Sequence, residues 1–68
     1  MSFAENLKRL QAEHGETNYR LAKDLGVSKS TITNWQTGKK PNNLSIRAIA
    51  EHYGVTVEEL TGGGEQND

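Results

Sequence analysis

The chain has no cysteine, a single proline and few aromatic residues, 6% in all. Without cysteine there is no disulfide framework, no thiolate ligand for zinc and no thiol nucleophile. The fold must be held by packing, capping and hydrogen bonds, which suits a cytoplasmic setting. Long hydrophobic runs are missing as well. The longest stretch without a charged residue, Ser30 to Gly38, is polar, so nothing here spans a bilayer. No apolar segment follows a basic N-terminus, so no secretory signal is visible. A surplus of one charge is also absent, since the net charge is −1. What remains is a 68-residue chain with 32% hydrophobic content, enough for one thin core and no second domain.

The charge total hides a strong segregation. Within residues 17–43, Arg20, Lys23, Lys29, Lys39 and Lys40 stand against Asp24 alone. Outside that block, eight acidic residues face Lys8, Arg9 and Arg47. A basic centre in an acidic frame suggests one face for phosphates and another for water.

Apolar spacing and capping residues predict five helices. The first runs from Phe3 to Glu13, with Phe3, Leu7 and Leu10 on one stripe. Ser2 and Glu5 have the spacing of a capping box, and Gly15 can end the helix. The second runs from Asn18 to Leu25, between Thr17 as N-cap and Gly26. Val27 is a lone apolar residue that should pin the turn to the core. The third follows Ser28 and reaches Thr37. Its only large apolar residues are Ile32 and Trp35; the rest is polar, small or basic, so most of its surface should meet something polar. Trp35 reads as core rather than as a stacking platform.

Gly38 to Asn43 reads as a loop. Asn43 is the expected cap of a fourth helix, Leu44 to His52, apolar nearly all round and therefore expected to be the most buried. Thr56 caps a short fifth helix, Val57 to Thr61, with Glu58 and Glu59 in its dipole-favoured first turn. Residues 1–61 should form one all-α domain, and residues 62–68, rich in glycine and polar residues, a disordered tail.

The span Asn18–Gly38 has the form of a helix-turn-helix. Ala22 is small where helices cross closely, and Gly26 suits a turn that wants positive φ. Ile32 and Trp35 would fasten the second helix of the pair from inside, leaving its N-terminal half to enter a major groove.

The segments LAKDLGVSKSTITNWQTGKKP and GVTVEEL, within a match from Asn6 to Leu60, resemble the phage-repressor-like helix-turn-helix family. That family includes lambda-type repressor and Cro domains and Xre-like bacterial regulators. The resemblance implies a compact five-helix lambda-repressor-like domain that binds an inverted-repeat DNA operator as a homodimer. It implies base reading by Lys29, Ser30 and Asn34, with Thr31 and Thr33 as neighbours. It implies phosphate contacts from Asn18, Arg20, Thr37, Lys39, Lys40 and Asn42, with Asn18 also bracing the first reading residue. Val57 and Leu60 are its apolar candidates for the dimer surface. It further implies a transcriptional regulator, repressor or Cro-like, at the nucleoid of a bacterial or phage-infected cell. No cofactor, metal, membrane or small-molecule substrate is implied.

The side-chain chemistry fits these roles. Lysine can donate to guanine O6 and N7, and asparagine can pair with adenine N6 and N7. Loop lysines supply sequence-independent, salt-sensitive affinity.

Four positions depart from the family pattern. Gln11 and Gln36 stand where an Arg–Glu ion pair is frequent, and two amides can bond in its place. Glu16 replaces a hydrophobic residue, and Tyr19 could either fill the space this leaves or reach a phosphate. His14 and His52 lack a third ligand at metal spacing and read as surface or packed residues. Ser28 has no histidine nearby in sequence to activate it, and capping explains it.

Two other readings stay open. The chain could be the N-terminal DNA-binding domain of a longer repressor. It could instead be an antitoxin- or adaptor-like module that docks a protein, although such a face normally carries exposed apolar anchors.

Overall fold

The computed structural model describes residues 2–62, and among them the only regular elements are five α-helices. They are α1 (Phe3–His14), α2 (Asn18–Leu25), α3 (Lys29–Gln36), α4 (Asn43–Tyr53) and α5 (Val57–Thr61). Apart from Gly62, the expected tail lies outside the described residues.

Capping decides where each helix begins. Ser2 and Glu5 form the expected capping box on α1, and Thr56 and Glu59 form a second on α5. Thr17 and Ser28 each accept a backbone N–H from the third helical residue, Arg20 and Thr31. Left-handed glycines close α1, α2 and α4. The start of α4 differs from expectation by one residue. Asn42, not Asn43, is the cap, and its Oδ1 accepts from the Ser45 amide at 2.8 Å.

The core comprises Phe3, Leu7, Leu10, Leu21, Ala22, Ile32, Trp35, Ile46, Ile49, Ala50, Tyr53 and Leu60, with Leu25, Val27 and Val55 packed against it. Trp35 is buried and meets Phe3 edge-on at a ring distance of 6.4 Å. α3 packs on α1 and α2, while α5 packs on α1 and α4. Buried Asn6 fastens α5, donating from Nδ2 to the Leu60 carbonyl at 2.9 Å and to that of Glu59 at 3.3 Å.

Contrary to what its composition predicts, α4 is not the most buried helix. Leu44 is 78% exposed and Ala48 is also exposed, while Ile46, Ile49, Ala50 and Tyr53 face the core. Neighbouring helices cover one stripe of α4, and hydrophobicity on the other side finds no cover among the described residues.

Candidate nucleic-acid interface

α3 is short, and its two faces are chemically distinct. At 3.6 residues per turn, Lys29, Thr33, Ser30 and Asn34 fall side by side around the helix. All four are exposed. Ile32 and Trp35 lie opposite and anchor the helix in the core. Lys29 and Asn34 side chains make no hydrogen bond to another described residue, so their donors and acceptors are available.

The two threonines are less available. The Thr33 hydroxyl donates to the Lys29 carbonyl at 3.2 Å. Thr31 is half-buried on the inner side of the face, and its hydroxyl lies 2.9 Å from that of Ser28. Both hydroxyls are engaged within the helix, leaving mainly methyl groups for outside contact. Ser30 lies near the same cap, its Oγ 3.5 Å from that of Ser28.

The turn before α3 brings Gly26 to φ 75°, and Val27 packs on the core. After α3, Thr37 caps the helix and its hydroxyl donates to the Asn34 carbonyl at 3.0 Å. Lys39 and Lys40 follow on an exposed loop that is pinned by buried Pro41. Asn42 is exposed, with its oxygen committed to capping α4. Arg20 is exposed on α2, its Nε 3.6 Å from the Asp24 carboxylate, a contact that solvent weakens.

Asn18 is placed differently from expectation. It does not brace Lys29; it joins an amide cluster with Gln11 of α1 and Gln36 of α3. Gln36 Nε2 donates to Gln11 Oε1 at 2.6 Å and to Asn18 Oδ1 at 2.9 Å. Gln11 Nε2 donates to Asn18 Oδ1, and Asn18 Nδ2 to Gln36 Oε1, each at 3.0 Å. The amide–amide link anticipated from the paired glutamines therefore forms, with a third member.

A second polar cluster lies behind the helix pair. The Glu16 carboxylate accepts the Tyr53 hydroxyl at 2.6 Å and lies 2.6 Å from His52 Nε2. Burial pushes the Glu16 pKa up, but the Tyr53 and His52 hydrogen bonds, aided by His52 and His14 charge, outweigh it and hold it below its ordinary value. Burial, then the facing Glu16, raise the Tyr53 pKa. Tyr19 does not fill the space beside Glu16, because it is 63% exposed; Tyr53 and His52 take that position. Glu16, Asp24 and His52 hold potential ligand atoms within 4.8 Å of one another. The hydrogen bonds already made by Glu16 account for its placement without an ion. No signal in the sequence pointed to this cluster.

Comparisons with known proteins agree with the geometry. The profile of the helix-turn-helix family matches residues 7–60. The HTH-type transcriptional activator BcrR of Enterococcus faecalis is 38% identical over 66 residues, which cover 96% of this chain and 32% of BcrR. This chain thus spans about a third of that relative's length. The uncharacterized HTH-type transcriptional regulator MJ0272 of Methanocaldococcus jannaschii is 40% identical over 55 residues, 79% of this chain and 83% of the relative. Among solved structures, a transcriptional regulator from Listeria innocua superposes with a TM-score of 0.84 at 35% identity, covering 90% of this chain and 58% of the other. The SOS-response transcriptional repressor LexA from Eubacterium rectale gives 0.83 at 28% identity, covering 97% and 71%. With the polar outward face of α3 and these likenesses together, the chain belongs to the helix-turn-helix family of DNA-binding transcriptional regulators.

Proposed function

We propose that the chain binds a specific duplex DNA operator as a homodimer, with α3 in the major groove, and regulates transcription by occupying that site in the cytoplasm. The observation that carries this reading is the outward face of α3: Lys29, Ser30, Thr33 and Asn34 are exposed and polar, opposite the buried Ile32 and Trp35. Lys29 and Asn34 are the main readers of base edges. Ser30 adds a less selective contact, and Thr31 and Thr33 offer methyl groups suited to thymine. Asn18, Arg20, Thr37, Lys39, Lys40 and Asn42 flank α3 and hold the sugar-phosphate backbone, fixing register.

Two copies would place their reading helices about 34–36 Å apart, one turn of DNA. Leu44 and Val57, 78% and 39% exposed, support pairing through α4 and α5. Val57 also lines a groove of about 460 Å³ with Lys40, Pro41, Ile46 and Arg47. Leu60 is fully buried and is not part of such a surface. The relatives include an activator and a repressor, so the sign of regulation follows from where the operator lies relative to a promoter.

The test is selection of duplexes from a random-sequence pool near physiological salt. An enriched inverted repeat with fixed half-site spacing is expected. Lys29→Ala and Asn34→Ala should then each lose about 1–3 kcal/mol of discrimination at one base pair. Binding without enrichment, vanishing as salt rises, would overturn specific readout.

A second reading takes the same unit as the DNA-binding part of a longer regulator. The observation in its favour is that the match covers 32% of BcrR. The mass of the protein from its natural source separates the two.

A further inference from the structure

The amide cluster of Gln11, Asn18 and Gln36 ties the first three helices together, and its hydrogen-bond inventory is uneven. A primary amide has two N–H donors and one oxygen with two lone pairs. Gln36 spends both hydrogens, on Gln11 and on Asn18. Asn18 Oδ1 accepts twice, from Gln11 and from Gln36, which fills its acceptor capacity. Asn18 Nδ2 has one partner among the described residues, Gln36 Oε1, and so keeps one hydrogen. Gln11 is buried, only 5% exposed, whereas Asn18 is half-buried at the first position of α2. The amide hydrogen left over on a residue that reaches solvent therefore belongs to Asn18.

We propose that Gln11, a residue too deeply buried to touch DNA, is a positioning residue: with Gln36 it locks the Asn18 amide, oxygen inward and one N–H outward, as a phosphate donor. The inference rests on the reading of Asn18 as a phosphate contact. The lock has two consequences. An unrestrained asparagine can present its oxygen as readily as its nitrogen, and the oxygen repels phosphate. With both lone pairs occupied from within, only the donor faces outward. The lock also carries no charge, so neither pH nor salt loosens it, in contrast to an ion pair at the same place.

The experiment uses the duplex recovered by selection, with a neutral methylphosphonate placed at one backbone position at a time. Wild-type protein should lose affinity at a small set of positions. Asn18→Ala should become indifferent to substitution at one of these. Gln11→Met, which keeps side-chain length and apolar fit, should become indifferent at the same position and at no other. The double variant should bind no more weakly than either single one. Urea unfolding of each variant establishes that the protein is folded under binding conditions, and a merely structural loss would weaken binding at all positions alike. If Gln11→Met keeps the wild-type pattern while Asn18→Ala loses one position, the positioning role is overturned and the phosphate contact stands. If Asn18→Ala keeps the full pattern, the phosphate contact itself falls, and the proposal with it. If selection recovers no duplex, specific DNA recognition fails first.

Discussion

Glu16 finds its hydrogen-bond partners far from its own place in the chain. It lies in the α1–α2 loop, yet its carboxylate is bonded to Tyr53 and His52 at the end of α4. Its folded pKa is lowered, so its ionised form is favoured by folding. Such a carboxyl contributes stability above its unfolded value, about 4.3 for glutamate, and loses it as pH falls through the folded value. Urea midpoints measured against pH should therefore drop on acidification below about pH 4.3, more steeply in wild type than in Glu16→Gln. Equal pH slopes in the two proteins would show that the carboxylate adds nothing. At the same scale, Lys39 and Lys40 stand exposed after α3, suited to phosphate. Removing both should reduce the slope of log K against log salt by about 0.9 per lost contact, roughly 1.8 per copy and roughly 3.6 for a bound dimer. An unchanged slope would remove this loop from the interface.

At the scale of the element, the helix-turn-helix depends on a turn only three residues long between α2 and α3. Gly26 takes φ 75° there, and its N–H bonds back to α2. A Cβ at Gly26 would meet nothing within 4 Å, so the cost of substitution is backbone strain and not a clash. Gly26→Ala should destabilise the fold by about 1–2 kcal/mol, the left-handed penalty for an L-residue. Denaturant unfolding measures it. A neutral result would mean that the turn relaxes to another conformation. This junction and the caps were legible in advance because their bonds join residues three or four apart. The start of α4 differs from the sequence expectation by one residue because Asn42 and Asn43 are chemically identical caps. Only the geometry of the Gly38–Pro41 loop selects Asn42.

At the scale of the whole molecule, five short helices leave apolar surface uncovered. Leu44 is exposed on α4, and Val57 is exposed on α5, where it lines the groove that also holds Lys40 and Pro41. If these residues join two copies, Val57→Glu should weaken self-association and operator binding together. Its unfolding free energy should stay within about 0.5 kcal/mol of wild type, as for a surface change. Sedimentation equilibrium with and without the operator measures the first effect. Unchanged assembly on DNA would place the pairing surface elsewhere.

The sequence alone determined the number of helices and their limits to within a residue, the turn between α2 and α3, and the polar outer face of α3. These follow from side chains acting on backbone three or four residues away, and from the spacing of Ile32 and Trp35, so they are local. It also pointed to a bond between Gln11 and Gln36, through two departures that make sense only as a pair. The tertiary structure decided the rest. It selected which side of the nearly all-apolar α4 is covered, because that depends on where α2 and α5 come to lie. It brought Glu16 to partners 36 and 37 residues away and left Tyr19 outside. It also turned the Asn18 amide toward Gln11 and Gln36 and not toward Lys29. Such contacts depend on how helices cross, which no spacing along one helix encodes.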